Sequence, residues 1–235
     1  MRLTTALAMA GLVHAAPSAA FLPGLRRRLL PSLAGVGAPG HVALTFDDGP
    51  APRSTPLFLR ALNEHDVRAT FFLLGSQVAR SPGVARDIVA AGHEVALHGW
   101  NHRSLMLRGW STYSSMARAC DLITRITGQR PRWFRAPYGV FSTASLLAAR
   151  RLGLTPVLWT CWGFDWTARA TGQSVFTTVT RDLQGGGTIL LHDADIAASP
   201  EAWRSTLAAL PLLLDECDRR GLRVGPLGDH AVGRG

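Results

Sequence analysis

HVALTFDDGP, residues 41 to 50, is the stretch whose reading decides the fold. After His41 come apolar and strand-favouring residues without polar alternation, and the run stops at two acids and a Gly-Pro turn. A short run of this kind reads as a strand buried on both faces, as in a parallel sheet covered by helices. The pattern then repeats. RATFFLL (68 to 74), HEVAL (93 to 97), PRWF (131 to 134), TPVLW (155 to 159), GTILL (187 to 191) and LRVGPL (222 to 227) are further strand candidates, separated by segments of helical period. Gly92, Gly128, Gly153 and Gly221 sit where helices end, as the residue type that tolerates the left-handed C′ position. Ser54, Ser111 and Ser142 sit at N-cap positions, Ser199 with Pro200 does so for the last helix, and Pro211 predicts a kink in that helix. Strands alternating with helices imply right-handed crossovers, and closure into a barrel is a natural solution. An open doubly wound sheet is the alternative. It lacks a dinucleotide glycine fingerprint, because GGG at 185 to 187 precedes a strand instead of joining strand to helix.

The bulk numbers suit a single β/α domain with a sizeable core: 235 residues, 47% apolar and 17% charged. The net charge of +9 comes from 25 cations, all arginine, scattered along the chain with a single run at Arg26, Arg27 and Arg28. Nucleic-acid binding calls for basic residues clustered with aromatics, so no nucleic-acid partner is expected, while attraction to an anionic wall polymer or membrane surface remains a milder inference. Cys120, Cys161 and Cys217 are odd in number and far apart, and predict neither a disulfide framework nor a zinc knuckle. Residues 1 to 40 differ in character. One early Arg, an apolar stretch from Leu3 to about Val13, and small residues near Ala16 and Ala20 fit a secretory leader, and the Arg cluster fits equally an amphipathic segment on a membrane or against the domain. The compartment stays open, with export or the cell envelope favoured over the cytoplasm.

In an alternating β/α fold the site lies at the C-terminal strand ends, so the residues that follow each apolar run carry the information. Asp47 and Asp48 follow the first strand, His98 and His102 the third, and Arg135, Pro137 and Tyr138 the PRWF run. TPVLW leads into WGFDW with Asp165 and Trp166, and GTILL ends in His192 and Asp193. HEVALHGWNH (93 to 102) invites comparison with the H-E-x-x-H zinc-protease helix, but Leu97 stands where the second histidine would be, and His98 lies about 140° around a helix from His93. His98 and His102, spaced i, i+4, can reach one cation, and His93 reads as a strand-edge bystander.

TFDDGP, HGWNH, RAPYG, FDW and LLHD, in this order, resemble the motifs of the polysaccharide deacetylases, carbohydrate esterase family four, also called the NodB-homology domain. The resemblance runs from about residue 41 to residue 193. It implies an α/β fold, a distorted (β/α) barrel of seven to eight parallel strands in a single catalytic domain over 41–230, preceded by the N-terminal segment 1–40. It also implies hydrolytic removal of acetyl groups from N-acetylated or O-acetylated glycans with a divalent metal, zinc before cobalt or nickel. By the same resemblance Asp48, His98 and His102 hold the metal, and Asp47 is the general base, held by Arg135. His192 is the general acid, with Asp165 the retained motif carboxylate. The Tyr138 backbone N–H assists the oxyanion, and Pro137, Leu190 and Trp166 complete the substrate site.

Two departures stand out. Gly99 replaces the Ser or Thr that often follows the first metal histidine, and Trp162 replaces an Asp expected three residues before Asp165. By the resemblance that missing carboxylate supports His192 and raises its pKa, so without it His192 is expected to be neutral at neutral pH, with a weaker acid function, an altered pH optimum or a preference for esters. Trp100, Trp110, Trp162 and Trp166 are candidates for stacking on sugar rings, and Trp133 and Trp159 for the core. The rival readings are a metalloprotease, a catalytically silent carbohydrate-binding relative, and a basic nucleic-acid protein.

Overall fold

A computed structural model describes residues 9, 11–21, 23–107, 109 and 111–232. β1 (His41–Asp47) is central, buried along its whole length. It pairs in parallel with β2 (Thr70–Leu73), with β7 (Thr188–His192) and, at its N-terminal end, with β8 (Arg223–Gly225). β3 (Glu94–Leu97), β4 (Trp133–Phe134) and β5 (Thr155–Pro156) continue the sheet beyond β2, and β6 (Cys161–Trp162) lies outside β7. The eight-stranded sheet runs β5-β4-β3-β2-β1-β7-β6, with β8 beside β1. Every recorded strand pairing is parallel, as the apolar runs require. Among the described residues β5 and β6 do not pair, so the barrel is distorted and open along one seam.

Side-chain alternation along β1 separates two cores. Val42, Leu44 and Phe46 point outward, into one apolar cluster with Phe58 and Leu62 of α2 (Thr55–Glu64) and Leu210 and Leu213 of α8 (Trp203–Arg219). Phe46 lies between the rings of Phe58 and Phe71, at 5.2 and 5.1 Å, and each such fully buried side chain contributes roughly 1.5 to 3 kcal/mol. Ala43 points inward and joins Phe72, Ala96, Trp133, Val157 and Leu227 in a smaller cluster that fills the barrel. The inward side of the same strand then continues to Thr45 and Asp47, which carries the interior up to the C-terminal rim.

The remaining helices are α1 (Pro23–Leu29), α3 (Gly75–Arg80), α4 (Pro82–Ala90), α5 (Ser111–Thr127), α6 (Thr143–Arg151) and α7 (Gly172–Asp182). Gly92, Gly128, Gly153 and Gly221 all have positive φ, as their C′ positions demand. Ser142 caps α6 in a reciprocal capping box with Ser145. Other boundaries differ from the expectation. Ser54 precedes α2 without a side-chain cap, and the Leu57 N–H bonds to its backbone carbonyl at 2.8 Å. Ser199 and Pro200 lie in a turn, and α8 starts later, at Trp203, then runs through Pro211. The two-residue strand β6 escaped the sequence reading because Cys161 and Trp162 sit inside what reads as a rim segment.

Residues 33–38 are stitched to the N-terminal end of the barrel: the Leu158 N–H donates to Leu33 O at 2.7 Å, Thr188 Oγ1 to Gly35 O at 2.6 Å, and the Gly37 N–H to Gly186 O at 2.9 Å. No described helix is long and apolar enough to cross a membrane. Residues 1 to 8 of the expected leader lie outside the described residues.

Candidate active site

The strand register brings the chemistry to one rim. Asp47 ends β1 opposite His192 at the end of β7. His98 follows β3 and bonds through its N–H to Leu73 O, and Arg135 follows β4 and bonds likewise to Leu97 O. Asp48 has φ 79, a conformation that an aspartate adopts at some cost.

Asp48 Oδ1 lies 3.5 Å from the Nε2 atoms of both His98 and His102. His98 Nδ1 donates to Arg135 O at 2.9 Å, which fixes the tautomer and leaves the Nε2 lone pair facing Asp48. Burial pushes the His98 imidazole below its ordinary range and, with His98 as a like neighbour, pushes His102 down to about 3, so both are neutral donors at physiological pH. Asp48 is pushed up to about 7, chiefly by burial. Asp48 Oδ1 is buried without a hydrogen-bond partner. An orphaned carboxylate oxygen between two imidazole lone pairs fits a cation, and three ligands of a tetrahedral zinc stand about 3.5 Å apart. These three residues could hold a metal; the ligand atoms all lie within 4.8 Å of one another.

Beside them, Arg135 is fully buried and donates to Asp47 Oδ1 at 2.7 Å, to Thr45 Oγ1 at 2.9 Å and to Leu158 O at 2.8 Å. Asp47 therefore keeps one oxygen committed to Arg135, while Oδ2 lies 3.8 Å from His98 Nε2. Across the cavity Asp165 Oδ1 accepts from His192 Nδ1 at 3.0 Å, and Asp165 Oδ2 accepts from the His192 backbone N–H and from Thr206 Oγ1. Burial pulls the His192 pKa down, but Asp165, with Asp48 and Asp47 behind it, raises it to about 9. That corrects the expectation drawn from Trp162: Asp165 is the carboxylate paired with His192, so the imidazole has an acidic partner although Trp162 stands in place of an Asp. Thr206 went unremarked in the sequence, since a mid-helix threonine carries no signal there.

A cavity of about 290 Å³ joins these groups, lined by Asp47, Asp48, His98, His102, Leu190 and His192 on one side. Tyr138, Trp159, Trp162 and Trp166 line the rest of it. Trp162 packs against Trp159, Phe164 and Trp166 at 4.7 to 5.2 Å, and Trp166 meets the His192 ring edge-on at 5.5 Å. Trp159, expected in the core, is buried and also forms part of the wall. Trp133 is a core residue, donating to Glu94. Trp100 packs between the start of α3 and Arg118 and does not line the cavity, and Trp110 lies outside the described residues. Pro137, expected at the substrate, is buried and does not line the cavity; it forms the turn that holds Tyr138 at φ 62, ring against His102. Gly99 has φ 97, and its loop is held by backbone bonds from Gly75 and Ser76 to the carbonyls of Gly99 and Trp100, so no side-chain hydroxyl is needed. His93 is a core histidine that accepts from the Ala69 N–H. Asp193, given no role by the sequence, is fully buried, accepts from the Thr55 hydroxyl, and packs where Gly49 has no side chain.

The rim of this parallel barrel carries an arginine-held carboxylate, a carboxylate-supported histidine and an Asp-His-His cluster, the kinds of group that hydrolysis of an acetyl amide or ester needs. The family model for polysaccharide deacetylase matches residues 35–157, and the chain belongs to that family. It is 36% identical over 194 residues to a chitooligosaccharide deacetylase of Bradyrhizobium, covering 79% of this chain and 88% of that protein. Among solved structures it resembles a family 4 carbohydrate esterase from Streptomyces lividans in complex with acetate, with TM-score 0.72, 33% identity, and 83% of this chain and 97% of that one covered. It also resembles a family 4 pseudoenzyme from Bacillus anthracis, with TM-score 0.74, 26% identity and coverage of 81% and 65%.

Proposed function

We propose that the protein is a metal-dependent deacetylase of glycans bearing N-acetylated amino sugars, with Asp48, His98 and His102 holding a divalent cation, zinc by the donor set of one carboxylate and two neutral imidazoles. Such an ion supplies Lewis acidity to the acetyl oxygen and acidifies the attacking water. Asp47, aimed by Arg135, takes a proton from the attacking water as the water oxygen adds to the acetyl carbon. The Tyr138 backbone N–H is assigned to the oxyanion, and Leu190 and Trp166 to the acetyl methyl group. His192 donates its proton to the leaving nitrogen as the carbon–nitrogen bond breaks, giving acetate and a free amine.

The observation that carries this reading is His192 paired with Asp165 across one cavity from Asp47. An amine leaves poorly without a proton, and an imidazolium with a pKa near 9 has one to give throughout the neutral range. This favours N-acetyl over O-acetyl substrates, and the chitooligosaccharide deacetylase named above supports the same choice. A silent relative is not favoured, because the base, acid and ligand positions all carry competent side chains. The test is acetate release from chitin oligomers, peptidoglycan and acetylated xylan with zinc supplied. Turnover is expected on the first two, and Asp47→Asn should retain bound zinc while losing about 10²- to 10⁴-fold in kcat. Bound zinc without acetate from any substrate would overturn the reading.

A further inference from the structure

The seam between β5 and β6 has no strand-to-strand pairing, and the backbone that crosses it, residues 157–160, still needs partners for its buried polar groups. Three consecutive carbonyls there are each taken by a different guanidinium. Arg135 donates to Leu158 O at 2.8 Å, Arg26 to Trp159 O at 2.5 Å, and Arg27 to Thr160 O. Leu33 O accepts the Leu158 N–H. The Trp159 indole also receives two cations, with Arg26 5.2 Å and Arg135 5.7 Å from its ring centroid. Arg26 is 3% exposed and, among the described residues, forms no ion pair with a carboxylate. Burial, then Arg27 and Arg135, lower its pKa to about 10, which leaves it charged at neutral pH. A buried cation held by carbonyls and an aromatic face is expensive to bring in, and its retention asks for a reason.

We infer that Arg26, supported by Arg27, is a positioning residue for catalysis: it closes the barrel seam and sets the Trp159 wall and the Arg135 that aims the base. The inference rests on the deacetylase reading of the rim. It extends the catalytic unit backward into α1, ahead of residue 35 where the family match begins, so these two arginines lie outside the family's matched segment. The link to chemistry is short. Arg135 touches Leu158 O with one nitrogen and Asp47 with another, and Trp159 lines the cavity. A displaced seam therefore shifts both the base and the wall that faces the substrate.

The experiment compares wild type, Arg26→Ala, Arg26→Lys and Arg27→Ala as full-length zinc-loaded protein, with steady-state kinetics on a chitin oligomer, zinc titration, and hydrogen exchange of residues 157–162. Arg26→Ala should lose about tenfold or more in kcat, as expected of a small misplacement near reacting groups. It should bind zinc with unchanged stoichiometry, because Asp48 directly follows β1 and His98 and His102 stand in the loop after β3. Its 157–162 amides should exchange faster. Guanidinium ion at low, non-denaturing concentration should restore part of the rate, an effect that a merely destabilised fold would not show. Arg26→Lys and Arg27→Ala should fall between. Wild-type kinetics and exchange in Arg26→Ala would overturn the inference, as would activity lost together with zinc and without guanidinium rescue. A wild type that releases no acetate would sink the deacetylase reading instead, and the exchange measurement would still decide whether Arg26 holds the seam.

Discussion

The two ends of the barrel interior use the same kinds of residue with opposite bookkeeping. At the N-terminal end Glu94 accepts from Thr70 Oγ1 at 2.7 Å, Trp133 Nε1 at 2.9 Å and the Gly228 N–H at 3.1 Å, so both oxygens are satisfied. His41 and His230 share a 2.8 Å Nδ1 contact, and His230 Nε2 reaches Gly186 O at 3.1 Å. At the C-terminal end Asp48 Oδ1 and His102 Nδ1 are buried without partners, and Asp48 carries positive φ. Burying a polar group without a partner costs about 1 to 3 kcal/mol, so a chain that pairs such groups at one end and leaves them open at the other has a use for the open ones. Polar residues mark both ends: the fully paired N-terminal set forms a plug, and the partnerless Asp48 Oδ1 and His102 Nδ1 mark the site.

The comparison breaks most visibly at the proposed acid, His192. Asp165→Asn keeps the shape and removes the charge that holds His192 protonated, and kcat is expected to fall about 10²-fold. The His192 pKa is raised to about 9, so the charged acid is present below that value and is lost as pH rises through it. In wild type the alkaline limb of the kcat profile should lie near pH 9, and in the variant it should move toward neutrality. A limb that stays in place would show that His192 is not the group titrating.

Glu94→Ala is the counterpart at the other end. It strips the acceptor from the Trp133 indole, the Thr70 hydroxyl and the Gly228 amide at once, and should cost roughly 1 to 3 kcal/mol in denaturant unfolding. Turnover of the folded fraction should stay near wild type. A large loss of kcat without loss of stability would erase the division between plug and site.

How much of this could be read from letters differs between the two ends. β1, β3 and β7 were legible because continuous apolar runs end in abrupt polar turns, and the rim residues Asp47, Asp48, His98, Arg135 and His192 follow those turns directly. β6 was not, since a strand of two residues leaves no period to detect. The Asp165–His192 partnership was also hidden: Phe164 has φ 52, and that local turn decides which carboxylate meets the imidazole. The seam was the least legible part. Arg26 and Arg27 look in the sequence like a diffuse basic cluster, and only the fold shows the carbonyls of Trp159 and Thr160 waiting for them.

The smallest expected effect concerns the buried histidine pair. Burial first, then the neighbouring His41, push the His230 pKa down to about 4, with the Gly35 and Gly186 carbonyls opposing. His41 is lowered by burial and by Arg223, with Asp229 opposing. A histidine held neutral in the fold binds its proton more readily when unfolded. Its contribution is therefore complete above the unfolded pKa near 6.5, and drains away as pH falls from there toward the folded value. For His230 the loss between pH 6.5 and 5.5 should be about 1 kcal/mol. Zinc-loaded wild type and His230→Gln carry the same proton linkage at the rim histidines, so that contribution cancels between them. In that form wild type should lose stability over this interval, and His230→Gln should lose about 1 kcal/mol less. Equal slopes in the two proteins would mean that the N-terminal end is not the closed, neutral counterpart of the rim, and the contrast between plug and site would then rest on Glu94 alone.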